Sequence, residues 1–482
     1  MLDSKKIAHR AVTSLIALVS RTFFLNLVNF AGAFILTIFL SPKEFGIFIV
    51  TSTIVEVFTY FSDIGLAGAL IQKKGKLKSK EIEAAFTIQE TLVLGGILLA
   101  WLFSRPIQRF YDLDPLGLWL FYALLASFFI SSLKTIPSVL SERRLKFNKV
   151  VIPQIIEALI FNTLLIILAW QGWGIKSYIV AVLARSISGT ISIYILVPWQ
   201  PRLRFSFQSV KQLLHFGIPY QANSLIAVFK DKVSLLILGK IIGLEGMGIL
   251  GWAEKWANLS LRYFLDSPIK VAFPLFSRLQ DHLEKAKNSL EQALFFVATL
   301  VFPLLAGSFI IMPQLIKVIP KYEKWNPGLY TFNLFLISAA VASISTFLTN
   351  FLTAMGKVKQ VLILMVMWTS LTLILYPFLA LKYSYEGVAM GSVLISLTAV
   401  VPFYLVKRLV DFRLFSQIIP ALISSFFMII SLKFVTPLLP LDIVGLSLTI
   451  LLGGIIYLGL LYVISRKKLI IQTKKFLSYV KA

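Results

Sequence analysis

The sequence predicts an all-α integral membrane protein that crosses the bilayer about fourteen times. Of its 482 residues, 58% are hydrophobic and 14% are charged, whereas an average soluble domain has about 25% charged residues. The apolar residues fall in stretches of about 20, the length of a helix that crosses the hydrocarbon core. Short basic segments separate the stretches. Because the first stretch is longer than the core of a signal peptide, we interpret it as the first span.

The spans follow one another with few long connections. Proline or glycine within several of them is compatible with membrane helices, since neighbouring helices or water can satisfy the freed backbone groups. We predict the spans at residues 12–40, 45–71, 82–104, 116–140, 150–171, 176–198, 213–242, 246–275, 289–312, 328–355, 360–381, 386–406, 415–436 and 442–465.

An internal repeat suggests two lobes. The turn after span one reads Ser41-Pro-Lys-Glu-Phe-Gly-Ile-Phe48, and the turn after span seven reads Gly243-Leu-Glu-Gly-Met-Gly-Ile-Leu250. Repeated six-helix halves are common in transporters. We therefore expect an N-terminal lobe over 1–200 (spans one to six), a C-terminal lobe over 201–410 (spans seven to twelve), and two further spans with a basic tail over 411–482.

Lysine and arginine set the predicted orientation. The net charge is +25, and most of the basic residues fall on alternate connections, as in Arg143-Arg144 and Arg466-Lys467-Lys468. Such connections mark the cytoplasmic side. We expect both termini in the cytoplasm and a location in the cytoplasmic (inner) membrane. This placement accounts for the basic charge, so we expect no nucleic-acid partner.

Charged residues inside spans are the candidate functional residues, since each costs at least about 2.5 kcal/mol at the bilayer centre. Lys230 and Lys255 lie roughly 18 and 15 Å from the turn between spans seven and eight, hence near the midplane. A basic column here suits a phosphate or pyrophosphate. The predicted substrate-binding residues are Arg21, Lys230, Lys232, Lys255 and Arg262.

Internal pairing is the alternative interpretation of these charges. Asp231 can neutralise a neighbouring lysine, and Arg262 can pair with Asp266 one turn away. Glu254 can pair with Lys230. The intramembrane acids could instead bind a coupling proton or sodium ion, with Glu56, Asp63, Asp231 and Glu254 as candidates. Lys134 and Arg185 lie nearer the cytoplasmic ends of their spans, where we expect them to extend towards the membrane surface.

Several chemistries are not expected. Cysteine is absent, and the three histidines are scattered, so we predict no metal site. No glycine-rich loop is followed by Lys and Ser/Thr, which argues against ATP hydrolysis. The connections are too short for a catalytic domain. We expect no enzyme activity and no cofactor, with a proton gradient, a sodium gradient or the membrane potential as candidate energy sources.

Several short motifs follow one another through most of the chain. They are Glu44-Phe-Gly46, Asp63-Ile-Gly-Leu-Ala, Ile71-Gln-Lys73, Arg144-Leu-Lys-Phe-Asn-Lys149, Pro201-Arg-Leu-Arg-Phe-Ser206, Phe273-Pro-Leu-Phe-Ser-Arg-Leu-Gln-Asp281 and Glu323-Lys-Trp325. With these motifs the chain resembles the polysaccharide flippases of the multidrug/oligosaccharidyl-lipid/polysaccharide exporter superfamily. It looks most similar to the branch with the colanic acid and teichuronic acid exporters.

The resemblance implies two six-helix lobes around a central cavity, two additional helices, and alternating access. It implies export of an undecaprenyl-pyrophosphate-linked oligosaccharide to the outer leaflet, with contacts to membrane lipid and to polysaccharide polymerase or assembly proteins. Family members often have tyrosine at the position of Glu254, so the role of the Glu254–Lys255 pair stays open. The alternatives are a small-molecule or drug antiporter of the same superfamily and a membrane assembly factor that transports nothing.

Overall fold

The computed structural model describes the backbone of residues 25 and 27–481, apart from 63–64, 74, 76, 205–206, 260 and 262–264. For residues 61–62, 207–230, 266–267, 271, 467 and 469–481 it describes the backbone alone. The chain divides into two compact units, Met1–Gly248 and Ile249–Ala482. The predicted division into 1–200, 201–410 and 411–482 stays a prediction.

Every regular element in the described part of the chain is helical, which confirms the predicted fold class. The helices of the first unit are α1 (Leu27–Phe39), α2 (Pro42–Ser62), α3 (Leu66–Gln72), α4 (Ser79–Leu102), α5 (Ser104–Phe110), α6 (Pro115–Ser132), α7 (Thr135–Arg143), α8 (Asn148–Trp170), α9 (Ile175–Leu196) and α10 (Phe207–Ala257), which runs into the second unit. Those that follow are α11 (Asp266–Arg278), α12 (Leu283–Val318), α13 (Leu329–Ala354), α14 (Val358–Leu397), α15 (Val400–Leu409), α16 (Leu414–Val435) and α17 (Ile443–Lys481). Short 3₁₀ turns occupy Glu323–Gly328 and Thr436–Leu438.

Ten stretches within the described residues are long and apolar enough to cross a membrane. The chain is therefore a multi-pass membrane protein. Two of these stretches each include a predicted turn. Asp231–Ala257 contains Gly243 at φ 71°, and Val358–Leu409 contains Ser384 at φ 53°. The count of fourteen stays a prediction.

Predicted span two is interrupted, so its continuity was wrong. It stops at Ser62 and resumes at Leu66 after Gly65, whose φ of 68° is a left-handed conformation that glycine adopts without a Cβ clash. Apolar composition does not reveal such a break, because the residues around it remain hydrophobic. Span four lies within one stretch, Pro115–Arg143, that is long and apolar enough to cross a membrane. In span eight α10 ends at Ala257 and α11 begins at Asp266, with residues 260 and 262–264 between them outside the described part of the chain.

In the first unit, α9 packs against both α8 and α6, and α2 packs against α4 and α6. A separate apolar cluster joins α3, α4 and α7 through residues such as Leu70, Phe86 and Ile136. Beside it, the Arg143 guanidinium donates to the carbonyl of Leu70 at 2.7 Å and to the carbonyl of Gly75. Arg143 thereby fixes the chain where α3 ends.

The two repeated turns lie against each other in the first unit. A Cβ on Gly46 would overlap the carbonyl oxygen of Leu244, and a Cβ on Gly248 would overlap that of Pro42. Pro42 stands four residues before Gly46, and Leu244 stands four residues before Gly248. The two contacts are thus related by a local twofold relation. Only glycine permits this backbone-to-backbone approach, so the pair holds the start of α2 against α10 at its break.

Ser41 and Glu44 stabilise the first of these turns. The Ser41 backbone N–H donates to Glu44 Oε2 at 2.8 Å, and the Glu44 backbone N–H donates to Ser41 Oγ at 3.3 Å. This reciprocal arrangement is a capping box, which satisfies amides at the start of a helix. The Glu44-Phe-Gly46 motif therefore has a structural role: its acid caps α2 and its glycine makes the close contact.

The connection between α5 and α6 packs on α10 before its break at Gly243. The Tyr111 hydroxyl donates to the carbonyl of Leu236 at 3.1 Å, and Lys240 lies 3.6 Å from Asp112 and over the ring of Phe110. Burial raises the pKa of Tyr111 to about 12, so its hydroxyl stays a hydrogen-bond donor through the physiological range.

Aromatic packing around Trp252 organises the start of the second unit. Trp252 is fully buried and stacks on Trp325, with ring centroids 5.4 Å apart. Its indole N–H donates to the Tyr322 hydroxyl at 3.1 Å. Gly328 leaves room for the ring, because a Cβ there would lie 3.0 Å from the Trp252 side chain. The Glu323-Lys-Trp325 motif is thus part of the packing that holds α10.

A second apolar cluster joins α12, α16 and α17. It contains Ile310, Met428, Leu432 and Leu461, all of them buried. The Tyr457 hydroxyl on α17 donates to the carbonyl of Thr299 on α12 at 2.8 Å. The two helices predicted as additions to the transporter core therefore pack closely on α12.

We predict that Trp252→Ala lowers stability by about 3–5 kcal/mol, the usual cost of deleting a buried tryptophan side chain. The loss includes the stack on Trp325 and leaves the Tyr322 hydroxyl without its donor. Thermal unfolding of the detergent-purified protein measures the effect. Trp170→Ala is the matched control, because that side chain is 70% exposed and its removal should shift the Tm little. Equal shifts for the two variants would contradict the anchoring role of Trp252.

Candidate functional site: charged groups within the membrane helices

The structure describes the side chains of only some of the predicted substrate-binding residues. Lys232 and Lys255 have described side chains. Lys230 lies in the backbone-only part of α10, and Arg21 and Arg262 lie outside the described residues, as does the predicted coupling acid Asp63. Lys232 belongs to the first unit and Lys255 to the second. Their convergence into one basic column stays a prediction.

Lys232 pairs with an acid that we had predicted for ion coupling. Its Nζ donates to Glu56 Oε2, which joins α10 to α2. The Lys232 side chain is 28% exposed and that of Glu56 is 54% exposed. This partner was not anticipated, because the pairing alternatives considered from the sequence involved neighbours on spans seven and eight. The contact therefore joins Lys232, a predicted substrate-binding residue, to Glu56, a predicted ion-coupling residue.

Glu254 and Lys255 are exposed on α10, whereas the neighbouring Trp252 and Trp256 are buried. The stack of Trp252 on Trp325 fixes the rotation of this segment, and so determines which way the charged pair faces. Asp231, in the first unit, is also exposed. The binding and coupling roles of these residues stay predictions.

A buried charge centre, whose partners the sequence did not predict, lies in the first unit. Glu157 of α8 is only 6% exposed. Lys134 Nζ lies 2.5 Å from its Oε1, and Arg185 Nε of α9 lies 3.8 Å from its Oε2. Three membrane segments therefore meet at one carboxylate. The expectation that Lys134 and Arg185 extend to the membrane surface was wrong, because both are drawn to Glu157.

The fold makes room for this carboxylate. Gly189 faces it from α9, and a Cβ at that position would overlap Glu157 Oε1. Asn162, one and a half turns along α8, donates to Asn29 Oδ1 on α1 at 3.2 Å. One sequence signal for this centre was available: an acid in the interior of an apolar span usually has a partner inside the protein. The partners themselves are set by tertiary packing.

A cavity of about 320 Å³ opens beside the charge centre. This volume is within the range of small-molecule sites. Both bases and the acid line it, together with neutral hydrogen-bonding side chains. The polar lining residues are Asn29, Lys134, Ser138, Gln154, Glu157 and Arg185.

The sequence matches one family model, described as "Polysaccharide biosynthesis protein", over residues 35–329. That match covers more than half of the chain.

The chain belongs to this polysaccharide biosynthesis protein family.

Curated members of similar sequence are transport and biosynthesis proteins of bacterial polysaccharides. The chain is 21% identical over 280 residues to the succinoglycan biosynthesis transport protein ExoT of Rhizobium meliloti, covering 58% of this chain and 56% of ExoT. It is 24% identical over 330 residues to the lipopolysaccharide biosynthesis protein WzxC of Escherichia coli, covering 65% of this chain and 64% of WzxC. The chain thus spans less than two thirds of the length of either relative.

The fold of this polysaccharide biosynthesis family member is that of a known flippase. The solved structure of the lipid II flippase MurJ in an inward closed conformation matches with a TM-score of 0.76. The match covers 95% of this chain and 100% of that chain, at 17% identity. At this identity the likeness establishes the fold.

We predict that Glu56 and Lys232 are energetically coupled. The test is a double-mutant cycle with Glu56→Gln and Lys232→Gln. The sum of the stability losses in the two single variants should exceed the loss in the double variant by about 0.6 kcal/mol. This value is typical of polar contacts between membrane helices. The partly exposed position of the pair keeps this figure small. Unfolding in detergent measures it.

The control cycle combines Glu56→Gln with Lys176→Gln, an exposed cation on α9. That cycle should be additive within error. Additivity in the Glu56/Lys232 cycle as well would contradict the pairing.

Proposed function

We propose that this chain is a flippase that moves an undecaprenyl-pyrophosphate-linked oligosaccharide from the cytoplasmic to the outer leaflet by alternating access. Two findings support the proposal together: membership of the polysaccharide biosynthesis family, and the fold shared with a lipid II flippase. ExoT is a transport protein for succinoglycan biosynthesis, which favours transport over assembly. The sugar is a property of the individual pathway and is left open.

The observation that carries the proposal is the presence of several charges within apolar helices. A hydrocarbon environment excludes them unless they face a partner or a polar cavity. In the proposed mechanism Arg21, Lys230, Lys232, Lys255 and Arg262 compensate the pyrophosphate charge during passage. The sugar occupies the wet interior, and the polyprenyl chain remains in the bilayer.

The Glu56–Lys232 pair gives the mechanism a local exchange step. With no substrate, Glu56 neutralises Lys232. An arriving phosphate competes for the same cation, since lysine binds phosphate through charge-assisted hydrogen bonds. Glu56 is then left to bind a proton or a cation. This links substrate binding to ion uptake, with Asp63, Asp231 and Glu254 as the other candidate acids.

The distribution of basic residues supports an inner-membrane location with both termini in the cytoplasm. Polysaccharide polymerase or assembly proteins on the outer side would receive the product. The alternatives remain a small-molecule or drug antiporter and an assembly factor without transport. The basic character of the intramembrane charges favours an anionic substrate over the cations that a drug antiporter would carry.

Depletion of the protein tests the function. We expect lipid-linked oligosaccharide to accumulate on the cytoplasmic leaflet, and wild-type protein to clear it. Lys230→Gln/Lys255→Gln should fail to clear it at normal protein levels. Clearance by this variant would remove the two lysines from the site and keep the flippase. No accumulation, in cells that lack another flippase for the same lipid, would favour the antiporter or the assembly factor.

Alternating access provides a second prediction, at the Gly46–Gly248 contact. Opening the protein on the side of this contact should separate α2 from α10. Gly248→Val puts side-chain atoms where the carbonyl of Pro42 lies, and so should favour the separated state. The chain contains no cysteine, so a single introduced cysteine reports accessibility without background.

Ser52→Cys is a suitable probe, because Ser52 lies one helical turn from Glu56 on the same face of α2. A membrane-impermeant maleimide added outside should label it faster when Gly248→Val is also present. Gly95→Val is the matched control, since a Cβ there meets nothing within 4 Å. Equal labelling rates in folded Gly248→Val and Gly95→Val proteins would contradict the proposed opening.

A further inference from the structure

The guanidinium N–H groups of Arg185 donate no hydrogen bond to the described residues. A guanidinium carries five N–H donors. The nearest carboxylate oxygen lies 3.8 Å from Nε, and the guanidinium carbon lies 5.5 Å from the centre of the Phe161 ring. Neither is a hydrogen bond, and within the described residues the Arg185 side chain makes none. Near the middle of a membrane helix, such donors need partners inside the protein or in a polar cavity.

Arg185 lines the cavity beside Glu157, and its side chain is 54% exposed. The exposed apolar stripe of α9 contains Ile187, Ile191 and Ile195. At about 100° per residue these lie about 160°, 120° and 80° around the helix from Arg185, so the centre of the stripe points in a different direction from Arg185.

The other polar groups of this cavity fit an anionic ligand with oxygen atoms. Lys134 and Arg185 bring two positive charges and Glu157 brings one negative charge. The Asn29 amide nitrogen can donate a hydrogen bond to an oxyanion, whereas the Ser138 hydroxyl already donates to the carbonyl of Lys134 at 2.8 Å. Gln154 also lines the cavity, and its buried Oε1, an acceptor that does not itself favour an anion, has no hydrogen-bond partner among the described residues. The net positive charge and the guanidinium and amide donors make the cavity complementary to a phosphate group.

We propose that this cavity is an anion site for a phosphate or diphosphate group, with Lys134 and Arg185 as its ligands and Glu157 as a built-in counter-ion. Arginine is suited to this role because its planar fork binds two phosphate oxygens at once. When the site is empty, Glu157 holds both bases. When the anion enters, it takes them over. The site lies within the first unit and shares no residue with the predicted charges of spans seven and eight.

The source of the anion follows from the proposed function, on which this part of the inference rests. A lipid-linked oligosaccharide carries its diphosphate between the sugar and the polyprenyl chain. A cavity bounded by membrane helices would give that group a polar position within the bilayer. Free inorganic diphosphate has the same chemistry and is the second source, which the experiment separates from the first.

The test uses the full-length protein in detergent or nanodiscs, with farnesyl diphosphate and inorganic diphosphate as probes and calorimetry as the readout. Arg185→Gln and Lys134→Gln should each weaken binding about tenfold or more, since each removes a charged partner. Arg185→Lys keeps the charge without the fork and should weaken binding less. Lys176→Gln, the same chemical change at an exposed position of α9, should leave binding unchanged.

Glu157→Gln decides between a binding site and a purely structural ion cluster. Because it removes the competing carboxylate, it should tighten binding of the probes by about tenfold. A structural cluster predicts no gain, so unchanged or weaker binding in folded Glu157→Gln protein would overturn the proposal. Unchanged binding in both Arg185→Gln and Lys134→Gln would overturn it as well.

The two probes identify the source of the anion. Preference for farnesyl diphosphate supports a lipid headgroup, and equal binding of both supports a site for free diphosphate. Failure of the site and failure of the flippase can be told apart. If Arg185→Gln and Lys134→Gln both bind the probes normally and lipid-linked oligosaccharide is still exported, the anion site is rejected and the proposed function stands.

Discussion

The hydrocarbon core of a bilayer supplies no hydrogen-bond partners and no counter-ions, and every polar group within it must find them inside the protein. This constraint explains the arrangement of charges in the structure. Glu157 is buried, and it lies at the point where Lys134 and Arg185 can both reach it. Glu56 and Lys232, on helices far apart in sequence, meet for the same reason. In both proposals a substrate anion competes with these carboxylates for the paired cations.

Close backbone approach is the second feature that the fold depends on. Between membrane helices, small residues allow packing that larger side chains prevent. Gly46 and Gly248 place two carbonyl oxygens where side chains would otherwise be, and Gly189 gives space to the carboxylate of Glu157. In the second unit the buried stack of Trp252 on Trp325 fixes the rotation of the last part of α10.

The sequence predicted the all-helical membrane fold and the family, because both depend on local hydropathy and on short motifs. It did not predict the break at Gly65, where the composition remains apolar. It placed Lys134 and Arg185 at the membrane surface, because depth along a span says nothing about a partner on another helix. Glu56 was identified as a significant acid, but its bond to Lys232 depends on how α2 and α10 pack. The roles of Lys230 and Lys255 stay predictions, and those of Arg21 and Arg262 concern residues outside the described chain.

Translocation by the purified protein is the central claim, and reconstitution tests it most directly. Liposomes would carry a polyprenyl-diphosphate-linked sugar, loaded on one leaflet, with and without the protein. A sugar-modifying enzyme that cannot cross the membrane reports which molecules have reached the other leaflet. The account predicts transfer that requires the protein and that slows when Lys230 and Lys255 are both replaced by glutamine. Transfer no faster than in protein-free liposomes, with folded and correctly inserted protein and each candidate ion gradient applied, would contradict it.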